Sequence, residues 1–268
     1  DRSRQAVTWL GWVKSLPDEI VRVRPVLSAG YAWALLDSGE LEAAEARLRD
    51  AEWWLENPSE EMVVVDEAEY QFLPATIASA RAYFALTHGD VHGTLDYAQK
   101  ALDLLPTDAY IRRGVPSGLL GVTYWVIGDL DAADQSLTES MSSFERAGNI
   151  LLAITGTFVL AEIRMTQGHL RKALDTYQQS LGLAADHGEL VLRGTADLYT
   201  GLSEVHRQQN DLKAATSDLV RSKALGENAG LPHWRYRWCM AQARLKTTQG
   251  KLEAALKWLD EAARYYVR

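Results

Sequence analysis

The chain is 268 residues long, 47% apolar and 24% charged, with a formal net charge of −8. That acidic balance opposes direct binding to phosphate backbones, which are held by clustered Lys and Arg. With no uncharged apolar run of about 18 residues and a single cysteine, Cys239, the sequence predicts no membrane span and no internal disulfide; a reducing cytosol is the expected location.

A leading helix is predicted over residues 3–14, with apolar residues at 6, 9, 10 and 13. Six pairs of helices follow. The first is Arg24–Ser38, with Pro25 at its start, and Leu41–Glu56; a longer loop, Asn57 to Glu61, comes after it. The second runs from about Asp66 to Thr87, with Pro74 predicting a kink or an earlier break, and from Val91 to Leu105. The third is Tyr110–Ile127, where Val115-Pro116 predicts a loop, and Leu130–Ala147. The fourth is Ile150–Gln167 and Leu170–His187, the fifth Leu190–Gln209 and Leu212–Ala229, and the sixth His233–Gln249 and Leu252–Val267.

Each pair is divided by a turn of one type: Gly or Asn, often an acidic residue, then an apolar residue two positions on. The turns begin at Gly39, Gly89, Gly128, Gly168, Asn210 and Gly250. Gly and Asn accept the left-handed conformation that closes a helix, and an acidic residue next to it favours the positive end of the following helix. A recurrence of about 40 residues marks a helical solenoid. Three columns of small residues keep the same register. Seven before the turn stand Ala32, Ala82, Gly121, Ala161, Ser203 and Ala243. Five after it stand Ala44, Thr94, Ala133, Ala173, Ala215 and Ala255; twelve after it stand Ala51, Ala101, Ser140, Ser180, Ser222 and Ala262. Small side chains are needed where helices cross closely. The predicted fold is an all-α, right-handed α–α superhelix: one solenoid over residues 1–268, six hairpins plus the leading helix, expected to be a fragment of a longer protein.

The Gly-Asp-Leu-x-x-Ala turn with its small columns resembles tetratricopeptide repeats, lengthened to about 40 residues. More specific phrases are Trp9-Leu10-x-Trp12-Val13-x-x-Leu16-Pro17, Arg24-Pro25-x-Leu27, Ala101-Leu-Asp-Leu-Leu-Pro106 and Phe144-x-x-Ala147-Gly148-Asn149. Together they resemble the helical-repeat sensor region of MalT-like, large LuxR-family transcriptional activators. That resemblance implies an ATP-binding switch module and a helix-turn-helix DNA-binding domain elsewhere in the parent protein, with repeats that recognise an inducer (maltotriose in the founding member) and couple it to ATP-dependent self-association. Neither the phosphate-binding Gly-x-x-x-x-Gly-Lys-Ser/Thr loop nor a helix-turn-helix occurs in these residues. ATP is therefore implied only for the parent protein, no cofactor is expected in this chain, and DNA would be reached only through a domain outside it.

Chemistry-bearing constellations are sparse. The six histidines are scattered, and His88 and His92 straddle the Gly89 turn, so no metal site is expected. There is no Gly-x-Ser-x-Gly and no reactive-cysteine context, so no enzymatic activity is expected. In the tetratricopeptide register, positions six and three before each turn line a concave groove. These place Trp33, Tyr83, Trp125, Glu162, Glu204, Arg207 and Arg244 there; Arg237, thirteen before the last turn, joins them. Aromatic faces beside directional polar groups suit a sugar or other small polar ligand. The same aromatics at helical spacing also suit a core, and the same charges a solvated surface. The partners expected are a small-molecule inducer, a sugar among the candidates, or a peptide or protein.

Overall fold

The repeat turns set the architecture. Gly39, Gly89, Gly128, Gly168, Asn210 and Gly250 all have φ between +61° and +86°. At the first, the Glu40 N–H donates to Leu35 O at 2.9 Å and the Gly39 N–H to Leu36 O at 3.1 Å, the paired bonds of a Schellman cap. The acidic residue after the turn caps the next helix where it is Asp: Asp90, Asp129 and Asp211 each accept from the backbone N–H three residues on.

The computed structural model describes residues 2–186 and 193–266, which are helical with connecting turns and loops and no strand. They divide into two compact units, residues 1–127 and 128–268. The first holds α1 (Arg2–Lys14), α2 (Asp18–Arg22), α3 (Pro25–Asp37), α4 (Leu41–Glu56), α5 (Glu67–Gln71), α6 (Leu73–Thr87), α7 (Val91–Leu104) and α8 (Tyr110–Ile127). The second holds α9 (Leu130–Arg146), α10 (Ile150–Thr155), α11 (Thr157–Thr166), α12 (Leu170–Asp186), α13 (Thr195–Gln208), α14 (Leu212–Ala229), α15 (Trp234–Thr248) and α16 (Leu252–Tyr265). The architecture is all-α. Hairpins α3/α4 and α6/α7 stack in the first unit, and α11/α12, α13/α14 and α15/α16 in the second.

All eighteen column positions are buried. Ala32, Ala44, Ala51, Ala82, Ala101, Ala133, Ala161, Ala173 and Ala215 have no exposed surface at all. The two columns of second-helix residues include hydroxyls that pair across a crossing, such as Ser180 with Thr157 at 2.7 Å and Ser222 with Thr200 at 2.8 Å. Larger apolar residues fill the layers between, for example Leu35, Leu36 and Leu48 in one unit and Leu198, Leu202 and Val205 in the other.

Helix ends depart from the predicted ones where tertiary contacts intervene. Pro17 precedes an unexpected short helix, α2, with Asp18 and Glu19 in its first turn. Pro74 sits in the first turn of α6, so the predicted Asp66–Thr87 helix breaks at Phe72 into α5 and α6. The predicted loop at Val115-Pro116 is absent: α8 runs through a buried Pro116 without a break. One backbone bond is lost there, but Leu119 and Leu120 pack with Ala82 and Ala98. Arg113 Nη1 also donates to Leu102 O at 3.1 Å and Leu105 O at 3.2 Å, tying the start of α8 to the end of α7. The predicted Ile150–Gln167 helix divides at Gly156, where a Cβ would stand 3.1 Å from Met141 Cγ on α9. The predicted helix start at Leu190 and the ends at His187 and Val267 lie outside the described residues.

Candidate ligand-binding groove

In the first unit, Trp33 on α3 and Tyr83 on α6 are half-buried neighbours, their ring centroids 5.8 Å apart and tilted by 31°. Trp33 also borders a cavity of about 140 Å³, whose other walls include Thr76, Ser79 and Arg112. Burial raises the Tyr83 hydroxyl above its ordinary pKa, and the Asp37 carboxylate adds to the effect. Trp125, near the end of α8, is 36% exposed and makes no ring contact with either among the described residues.

The second unit gathers charge. Glu162 on α11, Glu204 and Arg207 on α13, and Arg244 on α15 come from three successive first helices. Glu204, 9% exposed, accepts from Arg207 Nε at 3.0 Å and Nη2 at 2.5 Å, and lies 3.9 Å from Arg244 Nη1. Arg207 Nη1 continues to Thr248 Oγ1 at 3.1 Å, bridging α13 to α15. Burial alone would raise the Glu204 carboxyl. The Arg207 hydrogen bonds and charge, with Arg244 beyond, outweigh it and hold the pKa below the usual value. Glu162 titrates the other way. Burial pushes its pKa up and outweighs the pull from Arg244, and a lesser repulsion from Glu204 adds to the rise. Its carboxylate makes no hydrogen bond among the described residues.

Arg237 faces a different partner. Its guanidinium pairs with Asp197, which is 2% exposed, and lies 5.6 Å from the Phe158 ring centroid. The second Asp197 oxygen accepts from the Leu231 N–H at 2.8 Å. Asp197 therefore ties the α14–α15 loop and α15 to α13, and Arg237 is engaged in that tie.

Beneath this charge lies Tyr177, which the sequence reasoning missed. It is fully buried, and its hydroxyl has no hydrogen-bond partner. Burial and the carboxylates of Glu162, Glu204 and Asp197 push its pKa far above the ordinary phenol value, so it remains a neutral O–H donor. Two signals were readable. Tyr177 occupies the ninth position after the turn, filled by Leu48, Ala98, Leu137, Leu219 and Leu259 in the other repeats. Gly201 also interrupts a helix interior, the usual sign of close approach.

The arrangement offers carboxylate and guanidinium groups with directional hydrogen bonding, as polar ligands require. Among the described residues no group of three or more His, Cys, Asp or Glu could hold a metal ion. No described helix is long and apolar enough to cross a membrane.

Stacked antiparallel hairpins, left-handed turn residues and small residues at every column position define a helical-repeat domain of the tetratricopeptide type. Within that class the chain belongs to the MalT-like TPR region family, whose model matches residues 75–268. No curated protein matches the chain in sequence. Among solved structures, the apo form of RapI is similar over 90% of this chain and 97% of its own, at TM-score 0.65 and 11% identity. PilF of Pseudomonas aeruginosa is similar over 89% and 90%, at TM-score 0.59 and 15% identity. The APC/C hetero-tetramer Cut9-Hcn1 is similar over 91% of this chain and 40% of that one, at TM-score 0.63 and 15% identity. At such identities the likeness is one of fold.

Proposed function

We propose that residues 1–268 act as the ligand-sensing repeat domain of a MalT-like, LuxR-family transcriptional regulator. In this reading they bind a small polar inducer, a sugar by preference, and pass the signal to an ATPase switch and a DNA-binding domain carried outside these residues. The reading assigns no catalysis to the chain and places it in the cytoplasm. ATP belongs to the switch module, and self-association follows inducer binding.

The observation that carries the proposal is the convergence of Glu162, Glu204, Arg207 and Arg244 from α11, α13 and α15. A ligand hydrogen-bonding to Glu162, Glu204 and Arg244 would touch helices of three adjacent hairpins. Repeats that contact only their neighbours transmit such a bridge as a change in their relative tilt. Trp33, Tyr83 and Trp125 supply aromatic faces in the first unit, where a sugar ring or an apolar side chain would stack. Thermal-shift screening of the chain against sugars and metabolites tests the proposal. A stabilising ligand whose effect is lost in Arg244→Ala supports it; intact folding with no stabilising ligand contradicts it.

A protein or peptide partner is the second reading. Leu252, Leu256 and Leu259 form an exposed row on α16, at 62%, 62% and 42% exposure, whereas Leu137, Tyr177 and Leu219, the counterparts of Leu259, are buried. Exposed apolar rows of this kind mark contact surfaces, and Cut9, a structural relative, forms a hetero-tetramer with Hcn1. Pull-downs with Trp33, Arg207 and Arg244 substituted in turn separate the readings, since loss of a protein partner without any small-molecule effect favours the second.

A further inference from the structure

A second site lies apart from the charged groove, between the second helices α14 and α16, with α15 as its floor. It is an open cavity of about 620 Å³, within the range of small-molecule sites. Its walls are aromatic. Trp238 and Trp258 meet edge to face at 5.1 Å and 89°, Trp234 lies 6.2 Å from Trp238, and Tyr265 closes one end.

The polar atoms of these walls decide what fits. The Trp238 N–H donates to Leu219 O at 2.9 Å and the Trp234 N–H to Ser222 Oγ at 2.9 Å, so those two rings offer only apolar surface. The Trp258 N–H has no acceptor among the described residues. Both rim carboxylates are engaged: Glu227 with Arg235 at 3.4 Å, and Glu261 with Arg264 at 2.9 Å and the Tyr265 hydroxyl at 3.2 Å. The rim lysines Lys223 and Lys257 are exposed and have no carboxylate partner among the described residues. An aromatic box is often a cation site, but here that role is filled from within. Lys223 Nζ lies 5.6 Å from the Trp238 ring centroid, and the Arg235 guanidinium 5.6 Å from that of Tyr265. The cavity therefore presents flat apolar walls beneath uncompensated positive charge.

The first unit has a groove in the same place, between α4 and α7, of about 510 Å³. There Glu52 stands where Lys223 does, thirteen residues after the turn, and Ile77 where Trp238 does, twelve before the next. That groove also holds Trp53, Tyr97 and Lys100, but Glu45 and Glu52 pair with its arginines, Arg49 and Arg81.

From this complementarity we infer that the α14–α16 groove binds a small aromatic acid: its ring packs against the half-buried Trp258, beside Trp238 and Tyr265, and its carboxylate meets Lys223, Lys257 and the Trp258 N–H. The test titrates the 268-residue chain with 2-naphthoate, following tryptophan quenching and calorimetric heat, with 2-naphthamide and choline as comparison probes. 2-Naphthoate should bind, and 2-naphthamide should bind roughly three- to tenfold more weakly, as expected for two exposed charge contacts. A similar weakening should follow Lys223→Glu with Lys257→Glu, two surface changes whose folding is checked by circular dichroism. Trp258→Ala should abolish binding, while Arg244→Ala, in the charged groove, should bind 2-naphthoate as the unsubstituted chain does. No naphthoate binding, equal binding of the amide, preference for choline, or a loss in Arg244→Ala equal to that in Trp258→Ala would each overturn the assignment.

Discussion

The ring of Tyr177 on α12 rests against the backbone of Gly201 on α13, so close that a Cβ at position 201 would stand 2.1 Å from Tyr177 Cζ. Glycine is required there by its neighbour and not by its own backbone angles. The pair carries the buried tyrosine through to the layer beneath Glu162 and Glu204.

Gly201→Ala is expected to destabilise the chain by about 1–3 kcal/mol, the usual cost of overpacking a filled core. Tyr177→Leu in the same chain should recover part of that loss, because the two changes share one contact and are not additive. Tyr177→Phe should be neutral or stabilising, since the removed hydroxyl has no partner. Urea unfolding of the four chains, with midpoint and slope compared, checks all three outcomes.

Glu162 and Glu204 should give opposite pH dependences. The pKa of Glu162 is raised in the fold, chiefly by burial. Its stabilising contribution is therefore full below the unfolded-state value and lost as pH rises through the folded value. Glu204 is lowered, its arginines overcoming burial, so its contribution is present above the unfolded-state value and lost as pH falls through the folded one. Glu162→Gln should accordingly be more stable than the unsubstituted chain at pH 7, the gap closing near pH 4. Glu204→Gln should be less stable at pH 7, its deficit also shrinking in acid. Unfolding free energies measured between pH 4 and 7 read both signs.

How much of this was legible beforehand depends on the range of the interaction. The turn at Gly128-Asp129 and its five counterparts were readable because a left-handed residue and an N-cap act within a few positions. The small columns were readable because a helix crossing recurs at fixed register. The helix runs through Pro116 instead of opening a loop, and it is held through Leu119 and Leu120 against Ala82 and Ala98, which are distant in sequence. At Gly156, where the helix breaks, the close neighbour is Met141 on another helix. Arg237 was placed in the groove by register alone, yet its partner is Asp197, forty residues away. Tyr177 stands at a position that is aliphatic in the other repeats, and its neighbour Gly201 is contributed by the next hairpin.

The Asp197–Arg237 tie should be sensitive to which member is removed. Arg237→Ala leaves a buried carboxylate without its cation, with an expected loss of about 3 kcal/mol, the low end for a buried pair because Arg237 is partly exposed. Adding Asp197→Asn removes the uncompensated charge and should recover part of it, while keeping a side-chain acceptor for the Leu231 N–H. Thermal midpoints of the single and double variants make the comparison.

The column positions offer a sharper contrast. Ala173, with no exposed surface, should not accept leucine: Ala173→Leu is expected to cost about 1–3 kcal/mol. Leu256→Ala, on the exposed row of α16, should change stability by less than about 0.5 kcal/mol. Equal effects at the two positions, measured by denaturant unfolding, would remove the close crossing from the explanation of the fold.

The most direct measurement is calorimetric titration of the sugar or metabolite chosen by thermal-shift screening into the unsubstituted chain, Arg244→Ala and Glu162→Gln. The expected result is a saturable one-to-one heat in the first and its loss, or at least tenfold weakening, in both variants, with unchanged circular dichroism. A ligand that binds all three chains equally would contradict recognition through the convergent charges of α11, α13 and α15.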